Sequence, residues 1–464
     1  MIRLFRHYVP RSLLLLAAAE ALIFLASIYL GKSLRFISGG WDVSLTSDVF
    51  TKALVFMAVM IGIMTAMGLY ERNFWDGKGD MILRVGVSFL LGLFVMSLIY
   101  YMFPGLYLGR GEFGLAFSVA FIGVVTARYI FLQISNRDAL KRRVMVLGAG
   151  AKAAQLDELI RDSDTRGFKI VGYVPINGGQ LAVNPELVIA ADTTLNALCE
   201  QHRIDELVVA MDDRRKGCPV EEILECKING VEVTDLLTFY ERESGKIKLD
   251  ALHPSSMIYS DGFHQAVLKT TSKRLFDIVA SLLILALTWP IMLIAAFAIW
   301  LESKGEGGIF YRQERVGKNG RLFQVIKFRS MRVDAEQDGI AKWAEQNDER
   351  VTRVGAFIRS TRIDELPQLI NVLRGHMSFV GPRPERPQFV TDLGKVIPYY
   401  SMRHRVNPGI TGWAQICYHY GASEEDAREK LQYDLYYIKN YSLFLDLMVL
   451  LETAHVILWG RGAR

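Results

Sequence analysis

Asp364 and Glu365 stand side by side in a stretch dense in arginine, preceded by Arg353, Arg359 and Arg362. Such a pair on a bare surface ends as solvated charge or as a partner in a weak ion pair. Among guanidinium groups an aspartate is expected to stay ionised, and an ionised carboxylate can attack phosphorus to form a covalent intermediate. The neighbouring segments supply further cations. Lys327 and Arg329 lie in Phe323-Gln-Val-Ile-Lys-Phe-Arg-Ser-Met-Arg, and Arg383 lies between Pro382 and Pro384 in Met377-Ser-Phe-Val-Gly-Pro-Arg-Pro-Glu. Guanidinium groups take phosphate oxygens in bidentate fashion, so this part of the chain has the residue types for phosphoryl chemistry.

Three more blocks accompany these: Phe310-Tyr-Arg-Gln-Glu-Arg-Val-Gly-Lys-Asn-Gly, Thr352-Arg-Val-Gly-Ala-Phe-Ile-Arg-Ser-Thr-Arg-Ile-Asp-Glu-Leu-Pro-Gln-Leu and Asn407-Pro-Gly-Ile-Thr-Gly-Trp-Ala-Gln. In their chain order, from Phe310 to Asn407, the five blocks closely resemble the bacterial sugar transferase family, the monotopic phosphoglycosyl transferases, over about 190 residues from Lys273 onward. The whole layout is similar to the family's long members, the polyprenyl-phosphate hexose-1-phosphate transferases, some of which serve exopolysaccharide export, including exosortase-associated systems. The resemblance implies that Asp364 attacks the β-phosphorus of a UDP-sugar, expels UMP and passes the phosphosugar to polyprenyl (undecaprenyl) phosphate. It also implies Mg²⁺ as cofactor with Asp364 as its ligand, and Pro382-Arg383-Pro384 as the nucleotide-binding loop. Glu365 is then a base or an orienting group. A diphosphate donor and a phosphate acceptor meeting at a carboxylate repel one another, so cations are required. Arg359, one helical turn before Asp364, is the first choice of phosphate clamp, with Arg362 beside it and Lys327 and Arg329 as second choices.

These groups need elements to hold them at a membrane. The 464 residues are 51% hydrophobic and 22% charged, which suits membrane segments joined to a sizeable soluble part, and imply two to four domains. A net charge of +5 fits anionic headgroups or a nucleotide and does not call for nucleic acid. Four apolar stretches at about 12–31, 50–70, 81–103 and 112–134 approach the ~20 residues that span hydrocarbon. Arg3, Arg6 and Arg11, then Arg72, Lys78 and Arg84, then Arg128, Arg137, Lys141, Arg142 and Arg143 crowd one side of these spans. Lys32, Arg35, Lys52 and Arg110 are all that the other side has, so the N-terminus and everything after residue 140 belong in the cytoplasm. The expected residence is the bacterial inner membrane. The first apolar run is followed by Gly31-Lys-Ser-Leu-Arg instead of a cleavage site and reads as a retained anchor. Cys199, Cys218, Cys226 and Cys417 show no metal spacing and read as reduced thiols.

The expected fold has three parts: four transmembrane helices over 1–140, a Rossmann-like parallel α/β domain over 141–262, and an α-rich catalytic module over 263–464. In the α/β part, strand-like runs at 143–147, 169–174, 206–210 and 230–233 alternate with helical stretches. Gly148-Ala-Gly-Ala-Lys-Ala is a GxGxxA turn, but the second strand ends Val171-Gly-Tyr-Val-Pro with no acid for a ribose, so close packing explains the glycines better than NAD does. The domain is a plausible surface for a second copy of the chain. Residues 275–301 form a fifth apolar run, yet Lys269, Lys273 and Arg274 precede it and Lys304 and Arg312 follow. Trp289-Pro290 near its middle predicts a bend, so the expectation is a re-entrant hairpin that returns to the side it left, with Asp277 at the interface or paired with a cation such as Arg274. In the apolar tail from Ser442 to Trp459, Asp446, Glu452 and His455 share one side, which predicts a helix lying on the membrane surface.

Two rival functions lack their signatures in the sequence. A nucleotide-sugar dehydratase or epimerase needs Tyr-x-x-x-Lys, a spacing absent around Tyr173, Tyr240 and Tyr436-Tyr437-Ile-Lys439. A non-catalytic scaffold has no use for an intact Asp364-Glu365, Arg359 and Pro382-Arg383-Pro384.

Overall fold

The computed structural model describes residues 11–35, 47–67, 78–135, 141–156, 167–176, 181–190, 193–212, 217–252, 267–332, 350–418 and 423–459, together with 2–4, 7–9, 69–70, 159 and 421. They fall into two compact units that divide between Ser244 and Gly245. The expected boundary at 262/263 lies outside the described residues, as do the connector residues 71–77.

The first unit begins with four long helices, α1 (Arg11–Arg35), α2 (Ser47–Ala66), α3 (Lys78–Met102) and α4 (Arg110–Ser135). Each contains a stretch long and apolar enough to cross a membrane. Their outward faces carry Leu22, Leu90, Phe94 and Ile122, and inside they set Phe24 edge-on against Phe56 and Phe89 edge-on against Phe117. One polar cluster interrupts this apolar interior. Arg128 pairs with Glu20 at 2.7 Å and donates to Leu69 O at 3.0 Å, Tyr70 donates to Glu20, and Arg84 donates to Met67 O. Arg128 and Arg84, read in the sequence as flanking charges, are therefore buried and bind the chain just beyond α2. A buried charge needs such a partner, because an isolated one is too costly to remove from water.

The same unit holds a four-stranded parallel sheet made of β1 (Arg142–Leu147), β2 (Phe168–Val174), β3 (Glu206–Val209) and β4 (Glu232–Asp235), in the order β2-β1-β3-β4. Short helices α5 (Ala151–Ala154), α6 (Leu195–Gln201), α7 (Val220–Ile228) and α8 (Leu236–Ser244) accompany it. Both sheet faces are buried, with Val144, Val146 and Val208 in one layer and Met145, Leu147 and Leu207 in the other. Such two-sided burial gives the continuous apolar strands of a parallel sheet. At the strands' N-terminal ends, Glu206 accepts from Arg142 and Arg242, and Glu243 accepts from the same two arginines.

The second unit opens with residues 245–251, held by Trp413 Nε1 donating to Gly245 O and by a Lys246–Glu429 pair at 2.9 Å. Then comes α9 (Val267–Glu302), a single 36-residue helix that runs through Pro290. A β-hairpin of β5 (Phe310–Val316) and β6 (Leu322–Phe328) follows, then α10 (Arg353–Ser360) and α11 (Gln368–Leu373). Next are β7 (Ser378–Val380), α12 (Pro387–Val396), β8 (Gly409–Thr411) paired parallel to β7, and α13 (Trp413–Cys417). The unit ends with α14 (Glu424–Asn440) and α15 (Leu443–Trp459). The helix-rich character expected of this part is present. Asp446 of α15, expected on a face toward headgroups, is instead fully buried against Lys273 and Tyr437.

Candidate active site

The acidic pair sits where one helix ends and the next has not begun. The Thr352 side chain caps α10 by accepting from Gly355 N, and Glu302, at the far end of α9, accepts from Arg353 N at 2.8 Å. These contacts satisfy amide groups that a helix start leaves unpaired. The helix stops at Thr361 because Arg362 takes a left-handed conformation with φ 59°, which is uncommon for a residue with a Cβ and concentrates at functional sites. Ile363–Glu365 then form one 3-10 turn, and α11 starts at Gln368, after Leu366 and Pro367. The break aims both carboxylates inward, each 8% exposed.

Three cations gather on Glu365. Lys327 Nζ donates to its Oε1 at 2.9 Å, Arg383 Nη2 at 3.1 Å, and Arg362 Nη1 lies 3.8 Å away. Asp364 makes no hydrogen bond or ion pair among the described residues. Electrostatics follows this asymmetry. Burial would raise the Glu365 carboxyl, but Lys327, then Arg383 and Arg362, outweigh it and hold the group well below the usual carboxylate range. Asp364 is displaced upward, first by burial and then by the charge of Glu365. The cations around the pair thus favour ionised Glu365 more than ionised Asp364. Burial lowers Lys327, with Glu365 opposing, and Glu365 raises Arg383.

Lys327 owes its place to α11. Asn371 donates from Nδ2 to Gln324 O at 2.7 Å and accepts from Ile326 N at 3.0 Å, which fastens the free edge of β6 to that helix. Arg383 owes its place to a loop whose carbonyls are each held. Pro382 O accepts from Gly409 N, Arg383 O from Arg403, Pro384 O from Arg315 and Glu385 O from Val316 N, all at 3.0–3.1 Å. Gly381 admits no side chain, since a Cβ there would lie 2.4 Å from Asn407 O. Arg403 is itself paired with buried Asp434 at 2.9 Å.

Of the residues singled out from sequence, the structure gathers Asp364, Glu365, Arg362, Lys327, Pro382, Arg383 and Pro384. Arg359 stays on α10, half-buried and without an ion pair among the described residues. Arg329 donates to Glu306 O and makes no ion pair with Asp364 or Glu365 among the described residues. Asn371, Arg403 and Arg315 escaped the sequence reading. The Glu385 that follows Pro384 in the quoted motif was the one signal of a paired arginine there, since Arg315 lies 3.7 Å from it.

The glycine turn of the first unit has its own occupant. Asp212, just beyond β3, accepts from Ala151 N at 3.2 Å and Lys152 N at 2.8 Å, and a Cβ on Gly150 would fall 1.8 Å from its Oδ2. Gly148, at φ 118°, makes the sharp turn after β1. The sheet reverses its strand order between β1 and β3, the crevice in which such folds take a dinucleotide phosphate. A carboxylate of the chain itself fills that anion position.

Comparison with known proteins finds a family model described as bacterial sugar transferase matching residues 268–460. A UDP-N-acetylgalactosamine-undecaprenyl-phosphate N-acetylgalactosaminephosphotransferase of Aeromonas hydrophila is 42% identical over 263 residues, 56% of this chain and 61% of its own length. The chain thus spans less than two thirds of that relative. A UDP-glucose:undecaprenyl-phosphate glucose-1-phosphate transferase of Xanthomonas campestris pv. campestris is 30% identical over 406 residues, covering 84% of this chain and 83% of its own. One of the same description from Escherichia coli (strain K12) is 33% identical over 351 residues, 73% of each chain.

Proposed function

The chain belongs to the bacterial sugar transferase family, and from that premise we propose that it transfers a sugar-1-phosphate from a UDP-sugar to undecaprenyl phosphate. The relatives carry undecaprenyl phosphate in their names and differ in the sugar, N-acetylgalactosamine in one and glucose in two. The acceptor is therefore the common element, and the donor here is a UDP-hexose or an N-acetylated relative.

The single observation that carries the mechanism is the unequal state of two adjacent carboxylates. Glu365 is committed to Lys327, Arg383 and Arg362, while Asp364 keeps its oxygens unshared. In this reading Asp364 is the nucleophile. One of its oxygens bonds to the β-phosphorus of the donor, the bond from that phosphorus to the bridging oxygen breaks, and UMP leaves. A phosphate oxygen of undecaprenyl phosphate then attacks the same phosphorus and frees the Asp364 carboxylate. Lys327 and Arg383, organised by Glu365, face the developing charge on the phosphate oxygens, where positioned cations contribute most. Displacement of the cations from Glu365 is not required, because Arg383 presents five N–H groups and Lys327 three.

Mg²⁺ fits the donor set. It is commonly held through one or two carboxylates and substrate phosphates, and Asp364 offers an unshared carboxylate beside the diphosphate position. When bound, the ion would neutralise the donor phosphates.

The site is proposed to work at the cytoplasmic face of the bacterial inner membrane, with four spanning helices as anchor. Both ends of α9 support a re-entrant path for its apolar middle. Lys273 and Asp277 near one end bind β7 and α15, while Ala295 and Ile299 near the other pack with Phe328 and Ile358. Between them Leu282, Leu283, Leu287 and Trp289 are exposed. A helix whose two ends rest on one polar unit leaves its middle to dip into lipid and return. A second copy of the chain, joined through the α/β domain, is proposed as its partner. UMP release from a panel of UDP-sugars, with undecaprenyl phosphate present, tests the function: one donor should stand out, and no release from any would refute it.

A further inference from the structure

Val380 closes β7 three residues before Arg383, and its carbonyl is the loop's remaining anchor. Lys273 Nζ donates to Val380 O at 3.1 Å. The same ammonium donates to Asp446 Oδ2 at 2.7 Å and lies 3.7 Å from Asp277 Oδ1. Asp277 in turn accepts from Phe379 N and Ser378 Oγ, both at 3.0 Å. Tyr437 OH lies 2.7 Å from Asp446 Oδ1 and 3.0 Å from Val380 O. Four elements, α9, β7, α14 and α15, thus meet at one carbonyl, and Lys273, Asp277, Tyr437 and Asp446 are all buried.

Within this knot Lys273 has a role that no neighbour can take. The hydroxyls of Tyr437 and Ser378 each have one proton and two acceptors within reach, whereas an ammonium has three protons. Only Lys273 can serve the Val380 carbonyl and the Asp446 carboxylate at the same time. Its backbone belongs to α9, the helix whose middle is apolar and exposed. From Val380 onward the loop has no slack, because Gly381 is packed against Asn407 and Gly409 and the carbonyls of residues 382–385 are fixed. The position of Lys273 is therefore passed to Arg383, and through Arg383 to Glu365.

We propose that Lys273 is a positioning residue for the transfer reaction, setting the place of Arg383 by holding the Val380 carbonyl against the membrane-facing helix. The proposal rests on the reading of Arg383 as part of the site. Misplacement of a reacting or clamping group by ~1 Å can lower a rate by ~10²-fold, which sets the size of effect to look for.

The test uses full-length protein in detergent micelles, assayed for UMP release from UDP-glucose, UDP-galactose and UDP-N-acetylgalactosamine with undecaprenyl phosphate. Lys273→Met alone leaves two buried carboxylates without their cation and can fail to fold. The charge-balanced Lys273→Met/Asp446→Asn protein and the single Tyr437→Phe protein are measured beside it, each checked by thermal unfolding. The expected result is a folded double variant with kcat/KM lowered ~10–100-fold and little further loss when the same changes are made in an Arg383→Ala background. A purely structural role would lower activity by the same factor in both backgrounds. Equal losses, or full activity of a folded double variant, overturn the role of Lys273 alone. Full activity of Arg383→Ala overturns the placement of Arg383 in the site, and the proposal with it.

Discussion

Lys327 Nζ donates to Glu365 Oε1 at 2.9 Å, while Asp364, the residue before it, has no such partner among the described residues. The pair is chemically divided: one carboxylate organises cations, and the other is left to react. Peptide neighbours can differ this much because a single 3-10 turn follows the left-handed Arg362 and points their side chains at different surroundings.

Glu365→Gln removes the charge that holds Lys327, Arg383 and Arg362 together. Steady-state kcat/KM should fall ~10²-fold, the size seen when one organised stabilising group is lost. A pre-steady-state burst of UMP should survive, since Asp364 still attacks. Rapid-quench measurement checks this, and loss of the burst with normal folding would move the nucleophile to Glu365.

Asn371→Ala leaves the buried Ile326 N and the partly buried Gln324 O without their partner at the β6 edge, and a buried group left unsatisfied costs ~1–3 kcal/mol. Thermal unfolding should drop by several degrees and activity should fall through Lys327. Asn371→Asp should be no better, because a carboxylate cannot donate to Gln324 O.

How much of this was legible in the sequence depends on how far each contact reaches along the chain. Apolar helix length and the alternation of strands and helices are local properties, and several apolar helices at the N-terminus and a parallel sheet after them are found as the sequence predicts. One helical turn back from Asp364 points to Arg359, but the helix ends at Ser360 and Arg362 takes a left-handed conformation before the carboxylates, a break that no local pattern announces. Lys327 and Arg383 reach Glu365 across 38 and 18 residues, and only the recurrence of basic motifs hinted at them. The Lys273–Asp446 pair joins residues 173 apart. In sequence Asp446 reads as a carboxylate facing water because its partner lies on another helix, and Arg128 reads as a flanking charge because Glu20 lies 108 residues away.

His404 gives a pH signature. Burial, with help from Arg403, pushes its imidazole down to about 4, against 6.5 when solvated. The unfolded chain therefore binds a proton that the folded chain does not, in the interval between those values. Stability should fall as pH drops from 6.5 toward 4, and His404→Gln should flatten this slope. Unfolding temperature measured at several pH values checks it.

Asp212→Ala uncaps Ala151 N and Lys152 N, and a lost cap of this kind costs ~0.5–2 kcal/mol. The first unit should melt earlier while UMP release by folded protein stays near normal, as befits an accessory domain. Titration calorimetry should find no NAD binding to the native protein, because the Asp212 carboxylate holds the anion position.

The central claim is that Asp364 forms a covalent bond to the transferred phosphosugar. Intact-protein mass spectrometry after incubation with UDP-sugars, without undecaprenyl phosphate, tests it most directly. Native protein should gain the mass of one sugar phosphate at Asp364 and lose it when undecaprenyl phosphate is added, and Asp364→Asn should gain nothing. An Asp364→Asn protein that still carries the adduct, or that releases UMP at the native rate, would contradict it.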